Sequence, residues 1–193
     1  MTAFVLGNGV SRRDISVDLM IARGAVYGCN ALYRTHRPLV LVATDTKIAE
    51  EIQESGYALA NRFYTRRPRP NTGALVIDPV YRGFSSGPVA ISIAAQDGNQ
   101  RMYLLGFDMG PVNARFNNIY ADTPHYKPSM AEPTYTGNWC RQICQICQTF
   151  KDRQFIRVHG ETTAAVPEFS NIPNLTQMAL ADFVLRLNTG KDL

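Results

Sequence analysis

His125 stands between Pro124 and Tyr126 in a stretch that also holds Tyr120 and Tyr135. An imidazole can accept a proton near neutral pH, which makes His125 the candidate general base, with Tyr120 and Tyr126 as candidate catalytic neighbours. The chain has only two other histidines: His36 precedes Arg37-Pro38 at a surface turn, and His159 closes an apolar run, positions that suit structural or solvated roles. Near the N-terminus the run Phe4-Val5-Leu6-Gly7-Asn8-Gly9-Val10-Ser11 suggests binding chemistry. Gly7 and Gly9 let backbone approach a ligand, Asn8 can both donate and accept, and Ser11 opens a helix start whose free N–H groups suit an anion. It is not the dinucleotide fingerprint, because Arg12 and Arg13 follow where a third glycine would be needed.

Three further apolar runs stop at polar residues, namely Gly28-Cys29-Asn30, Ala43-Thr44-Asp45 and Gly106-Phe107-Asp108. Asn30 could read a base or ribose edge, and Asp45 or Asp108 could accept a ribose hydroxyl. The alternative for each is a cap on the following loop or helix. Ser85-Ser86-Gly87 before Pro88 is another small-residue turn at a helix start, suited to a phosphate or carboxylate. The most basic window, with Arg62, Arg66, Arg67 and Arg69 broken by Pro68, reads either as a solvated loop or as an anion contact.

Cys140, Cys144 and Cys147 have the spacing with which S-adenosylmethionine radical enzymes hold an iron–sulfur cluster. Steps of four and three also place all three on one face of a helix, and free cysteine favours burial, so they read as core thiols and no metal site is expected. Only Cys29 remains, which fits a reducing, cytoplasmic setting better than a disulfide framework.

These residues need a scaffold, and the apolar runs supply one. Residues 3–6, 26–29 and 39–43 read as buried strands, and residues 74–77, 102–105 and 155–158 as further strands. Residues 12–23, 47–55, 88–96, 138–150 and 175–187 read as helices, the last with Leu175, Met178, Leu180, Phe183 and Leu187 on its apolar side. Residues 106–137 lose all periodicity under Gly, Pro, Asn and Tyr, a length typical of a functional loop. The alternation predicts one α/β domain over residues 1–193, a mostly parallel sheet with helices on both faces and ligands at the carboxyl ends of its strands. With 45% apolar and 19% charged residues and a net charge of +4, the composition is that of a globular domain, too mildly basic to require a nucleic-acid partner. No window has the length of a membrane span, and homo-oligomerisation is left open.

The ordered set of motifs resembles the small bacterial sialyltransferases of glycosyltransferase family 42 and the related bacterial and phage proteins of unknown function. Gly7-Asn8-Gly9-Val10-Ser11 is similar to their GNGPS loop and Cys29-Asn30 to their CN at the second strand. Ser86-Gly87 resembles their SG turn, Tyr103-Leu104-Leu105-Gly106-Phe107-Asp108 their YLxGxDF strand, and His125-Tyr126 their SHY; Pro173-Asn174-Leu175 also has a counterpart. The resemblance implies a single Rossmann-like domain of the GT-A type and a metal-independent transferase acting on a CMP-sialic-acid-like nucleotide sugar and a hydroxyl acceptor, without a separate cofactor. It implies Asn8, Asn30, Ser86 and Gly87 at the donor and His125 as base. Gly110 stands where that family has a tyrosine, and Tyr120 and Arg82 lie at shifted spacings. Two other functions fit the same fold: a non-catalytic nucleotide-binding or virion-associated protein, and a magnesium-dependent pterin pyrophosphokinase with Asp45 and Asp108 as ligands.

Overall fold

Successive side chains of a strand point to opposite faces, so a strand apolar at every position must be covered on both sides. The opening strand β1 (Thr2–Leu6) is such a strand from Ala3 onward. Ala3 and Val5 join the core on one face, and Phe4 and Leu6 join the core on the other. The computed structural model, which describes residues 1–193, places β1 in one eight-stranded sheet. Its other strands are β2 (Ala25–Cys29), β3 (Val40–Ala43), β4 (Phe63–Thr65), β5 (Leu75–Val76), β6 (Arg101–Leu105), β7 (Gln154–His159) and β8 (Leu175–Ala179). The spatial order is β5-β4-β3-β2-β1-β6-β7-β8, and every pairing is parallel.

Parallel neighbours need crossovers, and these carry five helices: α1 (Val17–Arg23), α2 (Thr46–Glu54), α3 (Ser86–Gln96), α4 (Gly137–Thr149) and α5 (Leu180–Thr189). α3 and α4 pack Ile91, Ala94, Ile143 and Ile146 on one face, against Val5, Leu104 and Phe155. On the other face α1, α2 and α5 bring Met20, Ile52 and Phe183 against Phe4, Leu41 and Tyr103. Phe183 meets Phe4 edge-on with ring centroids 6.0 Å apart, and burial of such a side chain contributes about 1.5–3 kcal/mol. This is an α/β, Rossmann-like fold, and no helix is long and apolar enough to cross a membrane.

Three expectations change. The segment 12–23 is not one helix: a 3₁₀ turn over Val10–Arg12 comes first, and α1 begins only at Val17, where the Ser16 hydroxyl caps the Leu19 amide at 3.1 Å. The segment 175–187 divides at Ala179, with Leu175–Ala179 extending the sheet beside β7 and Leu180–Thr189 turning back as α5. Edge pairing with β7 outweighs the helical spacing: Leu175 is buried against one face of the sheet and Phe183 and Leu187 against the other, so the five residues do not form one stripe. The third change is β4, three residues inside the arginine-rich window, whose Phe63 is fully buried between β3 and β5.

The strand order reverses at β1. The chain steps outward from β1 to β5, returns to lay β6 against the other side of β1, and steps outward again to β8. A crevice opens at the carboxyl ends of β1 and β6.

Candidate functional site

Gly7 and Gly106 close the floor of that crevice. The Gly7 amide donates to Leu105 O at 2.8 Å and the Gly9 amide to Gly106 O at 2.8 Å. A Cβ at Gly7 would lie 2.6 Å from Gly106 O, so the two strand exits cross too closely for any side chain there. Beneath them Asp108 is almost fully buried. Its carboxylate accepts the Ser11 amide (3.0 Å), the Ser11 hydroxyl, the Asn117 side-chain amide (3.1 Å) and the Thr162 hydroxyl (3.3 Å). Asn117 also takes the Val10 amide on its Oδ1 at 2.9 Å.

Two buried arginines fix the same junction. Arg157 donates to Phe107 O, Asp108 O and Ala164 O at 2.9–3.0 Å and lies over the Phe169 ring, while burial lowers its pKa. Arg12 donates Nε–H to Gly7 O and reaches the Tyr120 hydroxyl at 3.3 Å. The amides of Gly7, Gly9, Val10, Ser11 and Arg12 are therefore spent inside the protein, leaving that of Asn8. The loop is not an anion nest of backbone amides; what it presents to the crevice is Asn8.

The neighbouring strand ends are tied together through Ser86. Its hydroxyl donates to Asn30 Oδ1 at 2.9 Å and accepts the Thr44 amide at 3.0 Å, joining the exits of β2 and β3 to the start of α3. Asn30 holds a left-handed backbone, φ 55°, which Asn tolerates better than most residues. Beside it the Cys29 thiol is pushed up to about 12 by burial. Ser85 accepts the Trp139 indole N–H at 3.0 Å, fixing the far wall.

Two helices begin at this rim, α2 after Asp45 and α3 after Ser85. Neither has a side-chain cap hydrogen bond or an acidic residue in its first turn; the partial positive end of α3 is left uncompensated, whereas α2 carries the Asp45 carboxylate at its N-cap position. Lys47, Arg66 and Lys127 line the same cavity, opposed by exposed Asp45, since the Asp108 carboxylate is already committed to its four donors. The cavity measures about 610 Å³, the size that takes a nucleotide-sized ligand.

The long loop over 106–136 forms the outer wall and contains neither helix nor strand. It is tied to the floor where the Ile119 amide donates to Asn8 O at 2.8 Å. His125 sits on it with a left-handed backbone, φ 71°, and its Nε2 lies 3.0 Å from Glu51 Oε2 on α2. Arg34 binds that carboxylate through Nε at 2.9 Å and NH2 at 2.8 Å and also reaches Pro124 O at 3.2 Å. The Tyr33 hydroxyl donates to Glu51 as well, and burial raises the Tyr33 pKa to about 12.

Of the residues singled out in the sequence, Gly7, Asn8, Gly9, Asn30, Asp45, Ser85, Ser86, Gly87, Asp108, His125 and Tyr126 line the one cavity. Ser11 and Tyr120 do not. Ser11 turns inward to Asp108, and Tyr120 packs behind the wall against Tyr126, ring centroids 5.5 Å apart, with burial raising its pKa. Tyr126 lines the cavity, but its hydroxyl accepts the Ala31 amide at 3.2 Å. Asp108 does not offer a free carboxylate for a ribose or for magnesium, and no cluster of three or more His, Cys, Asp or Glu side chains is placed to hold a metal ion. Cys140, Cys144 and Cys147 face the core along α4, and burial raises all three thiols.

Sequence reasoning missed Lys47, Lys127, Trp139 and Glu51. Lys47 carried a signal, being two residues beyond a strand-end aspartate at a helix start; Glu51 carried none, because its place on α2 looks like any solvent-facing glutamate. No family model matches the chain, and no curated protein or solved structure matches it.

Proposed function

We propose that this protein binds a nucleotide sugar in the switch-point cavity and transfers its glycosyl group to a hydroxyl acceptor without a metal ion, with His125 as general base. One observation carries the reading: a histidine tethered to a carboxylate faces, across a single cavity, two uncapped helix starts and the side chains of Asn8 and Asn30. The helix starts, with Lys47 and Arg66, suit the phosphate, and the asparagines suit the nucleoside. His125 would take the acceptor proton while the bond from anomeric carbon to phosphate oxygen breaks. The preference for a CMP-sialic-acid-like donor rests on the motif resemblance to family 42.

A second reading, nucleotide binding without turnover, is favoured by the tyrosines. The Tyr120 hydroxyl is turned toward Arg12 and the Tyr126 hydroxyl is bound to the Ala31 amide, so neither is aimed at a departing phosphate. The two readings separate in a paired experiment. A thermal-shift panel of cytidine, uridine, guanosine and adenosine nucleotides should show stabilisation by the cytidine series. A ligand at about 100 times its dissociation constant adds roughly 2.7 kcal/mol. Donor turnover in EDTA then distinguishes transferase from binder. No response to any nucleotide at millimolar concentration would overturn both readings.

A further inference from the structure

We propose that Glu51 is the positioning residue of His125: it holds the imidazole as the Nε2–H tautomer and leaves Nδ1 as the nitrogen that receives the acceptor proton. The inference rests on the glycosyl-transfer reading. Glu51 lies outside the cavity lining and on a different element from His125, yet its Oε2 is 3.0 Å from Nε2. At this distance an ionised carboxylate repels a bare ring nitrogen and favours a hydrogen on it, an electrostatic preference that does not need the alignment of a regular hydrogen bond.

Three hydrogen-bond donors converge on this carboxylate, namely Arg34 Nε, Arg34 NH2 and the Tyr33 hydroxyl, and the imidazole approaches it as an ion-pair neighbour. The Arg34 contact, first, keeps Glu51 below the ordinary glutamate range. Glu51 thus stays charged while the imidazole changes state, and it stabilises the imidazolium formed when the base takes its proton. Arg34 also holds the loop backbone at Pro124 and the Thr123 hydroxyl, at 3.2 and 3.3 Å. A left-handed φ at His125 gives the ring this direction, a conformation few side chains adopt unless their surroundings hold it. The charged and titratable groups on the elements around the ring are Lys47, Glu50, Glu51 and Glu54 of α2, with Glu50 and Glu54 turned to Arg69; Tyr33 and Arg34 of the turn after β2; and Tyr120, Asp122, Tyr126 and Lys127 of the loop itself.

The step balances within the bound reactants. The acceptor O–H breaks and Nδ1–H forms, the freed oxygen pair makes the new bond to the anomeric carbon, and the old C–O bond leaves its pair on the nucleotide phosphate.

Imidazole ¹⁵N–¹H NMR tests the tautomer in the ligand-free protein, at a pH above the ordinary histidine range. The three histidines are assigned by His36→Gln, His125→Gln and His159→Gln. Wild type should show protonated Nε2 and bare Nδ1 at His125. Glu51→Gln should mix the tautomers and reduce kcat by about 10²- to 10⁴-fold with little change in donor KM. Glu51→Asp, which keeps the charge, should recover part of each effect, and Tyr33→Phe should leave the tautomer alone. An Nδ1–H tautomer in wild type, or the same tautomer ratio in wild type and Glu51→Gln, overturns the inference; if Glu51→Gln does not fold, the wild-type tautomer and Glu51→Asp decide it. Absence of transfer by wild type with every donor overturns the transfer reading and the role of Nδ1 in it, whereas the tautomer result stands by itself.

Discussion

Asp108 and Ser11, 97 residues apart in the chain, are joined twice: the carboxylate accepts both the Ser11 amide at 3.0 Å and the Ser11 hydroxyl. Removing the charge should therefore weaken the fold before any ligand is present. Asp108→Asn is expected to lower unfolding free energy by about 1.5–3 kcal/mol, as loss of buried hydrogen bonds to a charged group does. Urea unfolding of the ligand-free protein measures it. A variant with wild-type stability and weakened nucleotide affinity alone would mean that Asp108 meets the ligand instead.

Gly9 is kept free of a side chain by the same carboxylate. Its backbone, φ −64°, suits any residue, but a Cβ would lie 2.6 Å from Asp108 Oδ2 and 2.7 Å from Oδ1. Gly9→Ala should cost about 1–3 kcal/mol through this clash. In the double variant with Asp108→Ala the two losses should sum to less than their separate values, because both act on one contact. Strict additivity would place the strain elsewhere.

Lys47 and Asp45 give a test of sign. Both line the cavity near the start of α2 and both are exposed, so their effects are modest and salt-sensitive. Lys47→Ala should weaken binding of a nucleotide by about twofold to tenfold and flatten its dependence on salt, whereas Asp45→Asn should tighten it. Titration calorimetry at two ionic strengths checks both, and equal changes of the same sign would remove the electrostatic account.

Acid should act through Glu51. The Arg34 contact holds its carboxyl below the ordinary value of 4.5, so the stabilisation is fully present above that value. It is lost as pH falls through the lower pKa of the folded state. Glu51→Gln should be less stable than wild type near neutrality, with the difference shrinking as the medium is acidified below 4.5. Denaturant midpoints across that range measure it, and a constant difference would show that the charge is not responsible.

Thiol reactivity should follow burial. Cys29 and Cys147 are buried and their thiols are raised, Cys29 to about 12, so neither should react appreciably with iodoacetamide at mildly alkaline pH in the native state. Cys140 and Cys144 are half-buried and should react slowly. Mass spectrometry before and after addition of urea counts them, and rapid labelling of Cys29 in native protein would contradict its packing against Leu6 O at 3.3 Å.

Much of this architecture was legible in the chain because each strand near the centre is a short apolar run ended by Gly, Asn or Asp, and such runs are what a sheet buried on both faces demands. The edges were not. β4 is three residues set among arginines, and Leu175–Ala179 exposes Thr176 and Gln177, so neither shows the apolar run of a central strand. At the site, Asn8, Asn30 and Ser86 were found because strand ends and helix starts meet there in any parallel sheet. The inward turn of Ser11 was not, since its partner Asp108 lies 97 residues away and nothing local distinguishes a serine that caps a helix from one that reaches across a sheet.

The bond between Ser11 and Asp108 also sets an order of events during synthesis. The opening loop emerges from the ribosome early, yet Asp108, Asn117, Arg157 and Thr162, which give it shape, emerge much later. Until the two halves dock, the loop has neither its floor nor its amide acceptors. A chain that has not been extended past Thr162 lacks these partners, so a nascent or truncated chain has no finished cavity to fill. Ligand can then act only on finished molecules: it retards their unfolding without drawing incomplete chains toward the native state.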